Sequence, residues 1–299
     1  KQMVLLVDGQ WVDQWYDTKK TGGRFVRTQT QFRNWITADG SAGPTGQAGY
    51  KAEADRYHLY VSLACPWASR TLMIRTLKGL EDMISISVVH PLMLEHGWTF
   101  EEGEGVIGDP IFQARYLHEI YTAVKPDYTG RVTVPVLFDK KTKTIVNNES
   151  SEIIRMLNTA FDDLGAKPGN YVPDQWLEEI DAVNDFVYHR INNGVYKAGF
   201  ATKQEVYEEE VTALFAALDQ MEERLAGQDY LVGNRLTEAD IRLFTTLVRF
   251  DAVYFGHFKC NLKPLTAYPN LWAYTKRIYQ LPGMAQTVNF DHIKRHYYG

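Results

Sequence analysis

One short segment, residues 56–79, constrains the fold of this chain more than any other. Residues 57–63 alternate and are rich in β-branched and aromatic residues, which predicts a β-strand. After Cys65 and Pro66, apolar residues recur at helical spacing as far as Gly79, a residue type that often ends a helix. Because proline suits the first position of a helix, Cys65 is predicted to be the N-cap.

This predicted position is one where a cysteine becomes nucleophilic. The N–H groups and the partial positive charge of a helix start favour a thiolate over a thiol. A cysteine taken at random is more often a small buried hydrophobe, but the strand–Cys–Pro–helix context favours a reactive residue. The turn carries one cysteine and not a Cys-X-X-Cys pair, so a redox cycle needs an external thiol, for which glutathione is the obvious intracellular candidate.

Composition excludes several classes of function. A net charge of −5 without a basic cluster argues against nucleic acid as a partner. No apolar run approaches the roughly 18 residues of a spanning helix, so no membrane partner is expected. Two widely separated cysteines do not make a disulfide framework, which favours the cytoplasm. His292 and His296 lack a third ligand, so no metal is expected.

The chain is long enough for two domains, and its patterns predict three parts. Residues 1–50 are rich in turn residues but contain Trp11, Trp15 and Trp35, which predicts an arm packed on the body. Residues 51–165 are predicted to form a thioredoxin-like α/β domain with the order βαβ–α–ββ–α, and residues 166–299 to form an all-α domain. The predicted elements after the first strand and helix are strands at 84–89, 132–138 and 144–146 and helices at 111–124, 153–157, 174–191, 203–226, 238–253 and 268–279.

Two places in the α/β part suit the binding of a peptide-like ligand. Proline within the strand-like run 132–138 predicts a cis Val134–Pro135 bond, which leaves the Val134 N–H and C=O open to a peptide. Residues 147–152 carry capping residues and acids ahead of a helix, and the N–H groups of such a start form an anion site. Ser150 there suits a carboxylate, and Glu149 suits an ammonium group.

These features together resemble the cytosolic glutathione transferases. Several strings are similar to those of the glutathionyl-hydroquinone reductases, the Xi class, across essentially the whole chain. The strings are FRNW at 32–35, SLACPWA at 62–68, NNGVYKAGF at 192–200, VRFD at 248–251 and NFDHI at 289–293. The resemblance implies the transferase architecture, a homodimer, and glutathione as co-substrate in the reduction of S-glutathionyl-hydroquinones to hydroquinones with release of glutathione disulfide.

The resemblance also implies a role for individual residues. Cys65 would be the nucleophile that forms a mixed disulfide with glutathione. Tyr196 would donate a proton to the aromatic ring, while Tyr254 and Tyr297 would hydrogen-bond toward the cysteine and lower its pKa. The residues implied to bind glutathione are Trp98, Arg131, Val132, Thr133, Val134, Glu149 and Ser150.

Other interpretations stay open at this point. Trp98 could anchor a loop, Arg131 could be a solvated charge, and the tyrosines could be core residues. Cys260 is interpreted as a passive thiol and not as a resolving cysteine. For the whole chain, the alternatives are an omega-like thiol transferase or dehydroascorbate reductase, since that class shares the Cys-Pro pair, and a non-catalytic binding module with the transferase fold.

Overall fold

A computed structural model describes residues 4–14 and 16–299, which form two compact units. One unit consists of residues 4–14, 28–169 and 299, and the other of residues 16–27 and 170–298. The predicted packing of Trp15 and of residues 1–3 lies outside the described residues. The residues of the predicted arm are thus divided between the two units.

The first unit is built on a four-stranded sheet with the strand order β4-β3-β6-β7. Strand β3 is entirely buried and pairs in parallel with β4 and antiparallel with β6, as expected for a central strand. A smaller sheet has the order β2-β1-β5. The elements are β1 Val4–Val7, β2 Gln10–Asp13, β3 Tyr57–Val61, α1 Pro66–Leu77, β4 Ile84–Val88, α2 Leu117–Val124, β5 Gly130–Arg131, β6 Val136–Asp139, β7 Thr144–Asn147 and α3 Ser150–Thr159.

The predicted strand–Cys–Pro–helix segment is confirmed as β3, Cys65 and α1, with Pro66 as the first helical residue. The predicted strand at 132–138 is shorter than expected, since regular pairing begins only at Val136 in β6, and β5 lies just before the predicted run and pairs with β1 in the smaller sheet. The bond between Val134 and Pro135 is cis, as predicted. Strands β6 and β7 form the predicted antiparallel hairpin.

The helix predicted at 111–124 is shorter than expected and begins at Leu117. Asp109 caps a separate short turn ahead of it, since its carboxylate accepts hydrogen bonds from three backbone N–H groups that follow it. Gln113 within this stretch adopts a left-handed backbone conformation, which a continuing helix does not allow. The three donors are Ile111, Phe112 and Ala114.

The regular elements of the second unit, within the described residues, are helices. They confirm the all-α pattern predicted for this part of the sequence, but two of the α-helices continue directly into short π-helices. The elements are α4 Leu177–Val187, a π-helix Tyr188–Asn192, α5 Gly194–Gly199, α6 Gln204–Arg224, α7 Glu238–Arg249, a second π-helix Phe250–Tyr254, α8 Phe255–His257, α9 Pro269–Tyr279 and α10 Phe290–Tyr298. None of the described helices has both the length and the apolar character that crossing a membrane requires.

Candidate functional site

The thiol of Cys65 lies where the sequence predicted it, at the N-cap of α1. Its backbone is extended and its carbonyl accepts the first helical hydrogen bond, from the Ser69 N–H at 3.0 Å. The side chain is half-buried, and its Sγ donates toward the Val134 carbonyl oxygen at 3.8 Å. A partly exposed thiol at a helix start can act as a nucleophile in thiol–disulfide exchange.

The backbone before Pro135 is held by a buried phenol. The Tyr121 hydroxyl accepts a hydrogen bond from the Thr133 N–H at 3.2 Å and donates one to the Thr133 carbonyl at 2.7 Å. Burial raises the pKa of Tyr121, which keeps the hydroxyl protonated for this double role. Val132 and Val134 are buried beside Thr133, so the predicted peptide-binding segment is fixed in place.

The start of α3 forms the second predicted binding element of this unit. Glu149 is its N-cap, and one carboxylate oxygen accepts from both the N–H and the hydroxyl of Ser151, at 3.3 and 3.0 Å. The Thr30 hydroxyl donates to the other carboxylate oxygen at 3.3 Å. Glu149 therefore has a capping role in addition to the ammonium-binding role predicted for it.

Ser150, the first residue of α3, is buried and accepts a hydrogen bond from Arg70 Nη1 at 3.3 Å. Arg70 is 1% exposed, and its guanidinium lies 4.8 Å from the ring centroid of Trp67. A cation and a helix N-terminus here favour an anionic group. Sequence reasoning missed Arg70, although the three-residue spacing from Trp67 on one helix is a signal for this cation–π pair.

Trp98 and Arg131 both have structural contacts; that of Trp98 fits the alternative interpretation as a loop anchor, whereas that of Arg131 does not fit a purely solvated charge. Trp98 is buried, and its carbonyl accepts the Leu117 N–H at the start of α2 at 2.9 Å. Arg131 Nη1 donates to the Gln14 carbonyl at 2.9 Å. These contacts fix the loop before α2 and the end of the β1–β2 hairpin, and the predicted roles of both residues toward glutathione stay predictions.

The second unit brings together the three tyrosines that the sequence singled out. The Tyr297 hydroxyl lies 2.6 Å from the Tyr196 hydroxyl and 3.3 Å from the Tyr254 hydroxyl. All three side chains are buried. Tyr297 is therefore the central member of a hydrogen-bonded chain, an arrangement that the sequence did not predict.

The electrostatics of this cluster favour the neutral form of the Tyr254 and Tyr297 phenols. Burial raises the pKa of Tyr254 and of Tyr297 well above the usual value, and the neighbouring phenols raise the pKa of Tyr297 further. Protonated hydroxyls in a chain can donate and pass on protons. The predicted hydrogen bonds from Tyr254 and Tyr297 toward Cys65 join residues of different units and stay predictions.

The second cysteine and the possible metal ligands remain to be described. Cys260 is fully buried, and burial raises the pKa of its thiol to about 12, which fits a passive thiol. Its Sγ lies near the carbonyl oxygens of Val195 and Phe258. The part of the chain that the structure describes contains no group of three or more His, Cys, Asp or Glu side chains placed to hold a metal ion.

Comparison with known proteins defines the class to which this architecture belongs. The family model for the N-terminal domain of glutathione S-transferase matches residues 64–160, and the model for the C-terminal domain matches residues 204–277. The chain therefore has the architecture of a glutathione S-transferase. It combines an α/β unit, with a cysteine at the start of its first main helix, and an all-α unit.

Three relatives narrow the class. "Glutathionyl-hydroquinone reductase YqjG" of Escherichia coli is 60% identical over 99% of this chain and 90% of the relative, and "Glutathionyl-hydroquinone reductase PcpF" of Sphingobium chlorophenolicum is 56% identical over 99% and 92%. The glutathione-bound structure of YqjG matches with a TM-score of 0.91 at 56% identity, over 98% of this chain and 90% of that one. A Xi class transferase from Natrialba magadii gives a TM-score of 0.90 at 50% identity, over 99% and 88%. The chain belongs to the glutathionyl-hydroquinone reductase family of Xi class glutathione transferases, which confirms the resemblance found in the sequence.

Proposed function

We propose that this protein is an enzyme that uses glutathione to reduce S-glutathionyl-hydroquinones to hydroquinones and releases glutathione disulfide. The names of its relatives at 60% and 56% identity support this activity. The observation that carries the proposal is the half-buried thiol of Cys65 at the N-cap of α1, since this chemistry requires a cysteine nucleophile.

In the first step, the Cys65 thiolate attacks the sulfur that joins glutathione to the aromatic ring. A sulfur–sulfur bond forms as the carbon–sulfur bond breaks, and the bonding pair passes to the ring carbon, which takes a proton. Tyr196 supplies that proton, so the products are the hydroquinone and a Cys65–glutathione mixed disulfide. General acid assistance of this kind is typically worth about 10²- to 10⁴-fold in rate.

In the second step, the thiolate of another glutathione attacks the glutathione sulfur of the mixed disulfide. Glutathione disulfide leaves, and Cys65 returns to its thiolate form. The proton released by the incoming glutathione thiol restores the Tyr196 phenol. The chain of hydroxyls from Tyr196 through Tyr297 to Tyr254 supports the proton supply, since a phenol hydroxyl can both donate and accept a hydrogen bond.

We assign glutathione to the first unit; the glutathione-bound structure of the relative YqjG supports glutathione as the ligand, and the binding elements named below support its place. The start of α3 with Ser150 and Arg70 suits the glutamyl carboxylate, because a cation and N–H groups converge there. Glu149 suits the ammonium group, and the backbone at Val134 suits the peptide part. The other residues assigned to glutathione are Trp98, Arg131, Val132 and Thr133.

Product analysis tests this function. The enzyme is incubated with glutathione and an S-glutathionyl-hydroquinone, and one hydroquinone and one glutathione disulfide are expected for each substrate consumed. Cys65→Ala should abolish both products, whereas Cys260→Ala, which alters the buried thiol, should retain them. Reduction of dehydroascorbate without any hydroquinone product would support the omega-like alternative, and no turnover of either would support a binding module.

We also propose that the enzyme works in the cytoplasm as a homodimer. Neither Cys65 nor Cys260 forms a disulfide, and the reaction needs reduced glutathione, which a reducing compartment supplies. The dimer is inferred from the family. Sedimentation of the purified protein over a range of concentrations tests it, and a sedimentation coefficient of the monomer throughout would contradict it.

A further inference from the structure

The segment 16–27 ahead of the first main strand belongs to the helical unit and is fixed there by several contacts. Arg24 pairs with Glu210 of α6 at 2.9 Å. The Thr18 hydroxyl lies 3.1 Å from the Thr202 hydroxyl, and the Gly23 carbonyl accepts the Thr202 N–H at 3.1 Å. These contacts fix the path of the segment against the helical unit, and they therefore also fix the position of its last residue, Arg27.

Arg27 lies against the tyrosine that the proposed mechanism uses as the acid. Its guanidinium carbon is 4.7 Å from the ring centroid of Tyr196 and 5.0 Å from that of Phe25. Arg27 Nε donates to the side-chain oxygen of Asn193 at 2.7 Å, three residues before Tyr196. Because Asn193 directs the guanidinium, the charge is held over the phenol ring.

Several other neighbours of Tyr196 are neutral or apolar. Tyr297 and Tyr254 face it as protonated phenols, since burial raises the pKa of both. Asn193 is uncharged, and the aromatic rings of Phe25, Phe200 and Phe258 also lie near the Tyr196 ring. Arg27 thus places a cation against the Tyr196 ring among apolar groups, where a charge acts strongly, while the guanidinium of Arg249 is the cation that acts on Tyr254.

We infer that Arg27 is a positioning residue, supplied by the segment 16–27, that makes Tyr196 a stronger acid by stabilising the phenolate left after proton donation. A cation over a ring interacts more favourably with an anionic phenolate than with a neutral phenol. The inference rests on the proposed function, because it concerns the proton that the ring carbon receives. It gives the N-terminal segment a role in the reaction itself.

The test compares Arg27→Gln, which removes the charge, with Arg27→Lys, which keeps it. Hydroquinone release is measured anaerobically in single turnovers from about pH 6 to about pH 11. Reduction of a glutathione mixed disulfide of a small thiol serves as the internal reference, since it needs no proton on a ring carbon. Arg24→Gln is the matched control, because it removes a cation of the same segment whose contacts are with Glu209 and Glu210.

Arg27→Gln should slow hydroquinone release about tenfold or more and move the basic limb of its pH profile up by about one unit, since a weaker acid keeps its proton to higher pH. Mixed-disulfide reduction should change less than about twofold, and Arg27→Lys and Arg24→Gln should retain most of the hydroquinone rate. An unchanged pH profile, or an equal loss on both substrates, would overturn the inference.

Two further outcomes of this experiment can be distinguished from each other. If Arg27→Gln does not fold, the Arg27→Lys variant tests the inference instead. If its rate of hydroquinone release then falls as far as that of Tyr196→Phe, the role of the charge is overturned. If the unaltered enzyme reduces the mixed disulfide but releases no hydroquinone, the proposed function fails, whatever Arg27 does. Circular dichroism and thermal unfolding of each variant establish which case applies.

Discussion

At the scale of single residues, the two cysteines differ because of where the chain places them. Cys65 is half-buried at a helix start, whereas Cys260 is fully buried with the pKa of its thiol raised to about 12. Thiolate formation and access both favour the first and disfavour the second. Reactivity should therefore be confined to Cys65.

We expect incubation with glutathione disulfide to add one glutathionyl group to the native protein, at Cys65. Intact mass and peptide mapping measure the addition. Cys65→Ala should show none, and Cys260→Ala should react as the unaltered chain does. Modification of Cys260 in the native protein would show that the nucleophile has been assigned to the wrong residue.

Tyr196→Phe tests the acid at the same scale. The change keeps the ring but removes the hydroxyl that lies 2.6 Å from the Tyr297 hydroxyl, so the proton for the ring carbon is lost. Hydroquinone release should fall about 10²-fold or more, while reduction of a simple mixed disulfide should stay nearly unchanged. The ratio of the two rates is the measurement.

Tyr207→Phe is a suitable control, because its hydroxyl donates to the Lys259 carbonyl and not to the tyrosine chain. It should leave both rates close to those of the unaltered enzyme. An equal loss on both substrates for Tyr196→Phe would mean that this residue shapes the pocket and that the proton comes from another group.

At the scale of elements, two π-helices set the direction of two of the tyrosines. Tyr188–Asn192 precedes Tyr196 by one turn, and Phe250–Tyr254 ends on Tyr254 itself. An added residue in a helix turns everything after it by roughly 100°, and such segments occur often at functional sites. We infer that the two π-helices orient the hydroxyls of Tyr196 and Tyr254 toward Tyr297.

Asn192 links the first π-helix to α7. It is 1% exposed, and its Nδ2 donates to the Arg242 carbonyl at 2.9 Å and to the Thr246 hydroxyl at 2.7 Å. Asn192→Ala should lower the free energy of unfolding by about 1–3 kcal/mol, because buried acceptors lose their donor. Urea unfolding measures this change.

In Asn192→Ala, the rate of hydroquinone release should fall more than the rate of mixed-disulfide reduction. The reason is that the direction of the Tyr196 side chain depends on the π-helix that Asn192 holds in place. Asn261→Ala, at an exposed loop position, is the control and should change neither stability nor rate. If Asn192→Ala were destabilised but kept the native ratio of the two rates, the link between the π-helix and the acid would be contradicted.

At the scale of the whole molecule, buried ionisable groups in the two units respond oppositely to pH. Burial lowers the pKa of His58 to about 4, and its ring nitrogens lie 2.6 and 2.7 Å from the hydroxyls of Ser85 and Ser87. Burial raises the pKa of Asp240 to about 6, although the Tyr274 hydroxyl donates to it at 2.7 Å. His58 belongs to the first unit and Asp240 to the second.

The lowered pKa of His58 and the raised pKa of Asp240 determine how the free energy of unfolding depends on pH. The contribution of His58 is full above about pH 6.5 and is lost as the pH falls through about 4, since its pKa is lower in the folded state. The contribution of Asp240 is full below about pH 4 and is lost as the pH rises through about 6, since its pKa is higher in the folded state.

We therefore expect two substitutions to change the pH profile of the unfolding free energy in opposite senses. His58→Gln should flatten the loss on the acid side, and Asp240→Asn should remove the loss between about pH 4 and about pH 6. Urea unfolding at closely spaced pH values measures both slopes. Identical slopes for both variants and the unaltered protein would contradict the burial argument.

Local features that depend on near neighbours could be predicted from the amino-acid sequence. Pro66 at the first helical position and Cys65 at the N-cap follow from steric limits within a few residues. The hydrogen bond from the Thr237 N–H to the Asp240 carboxylate, 2.9 Å long and three residues away at the start of α7, depends on near neighbours in the same way. The division into an α/β part followed by an all-α part follows from the period of the hydrophobic pattern.

Tertiary structure decided the features that need residues far apart in the chain. Helix α2 begins late because Gln113 leaves the helical conformation after the turn that Asp109 caps, and Asp109 is itself held by a hydrogen bond from Tyr60 of β3. The tyrosine hydroxyls meet because three separate helices bring residues 196, 254 and 297 together, and Arg27 reaches Tyr196 across 169 positions (196 − 27) of sequence. A pattern read within a short window has no information on such contacts, since burial and long-range hydrogen bonds exist only once the chain has folded.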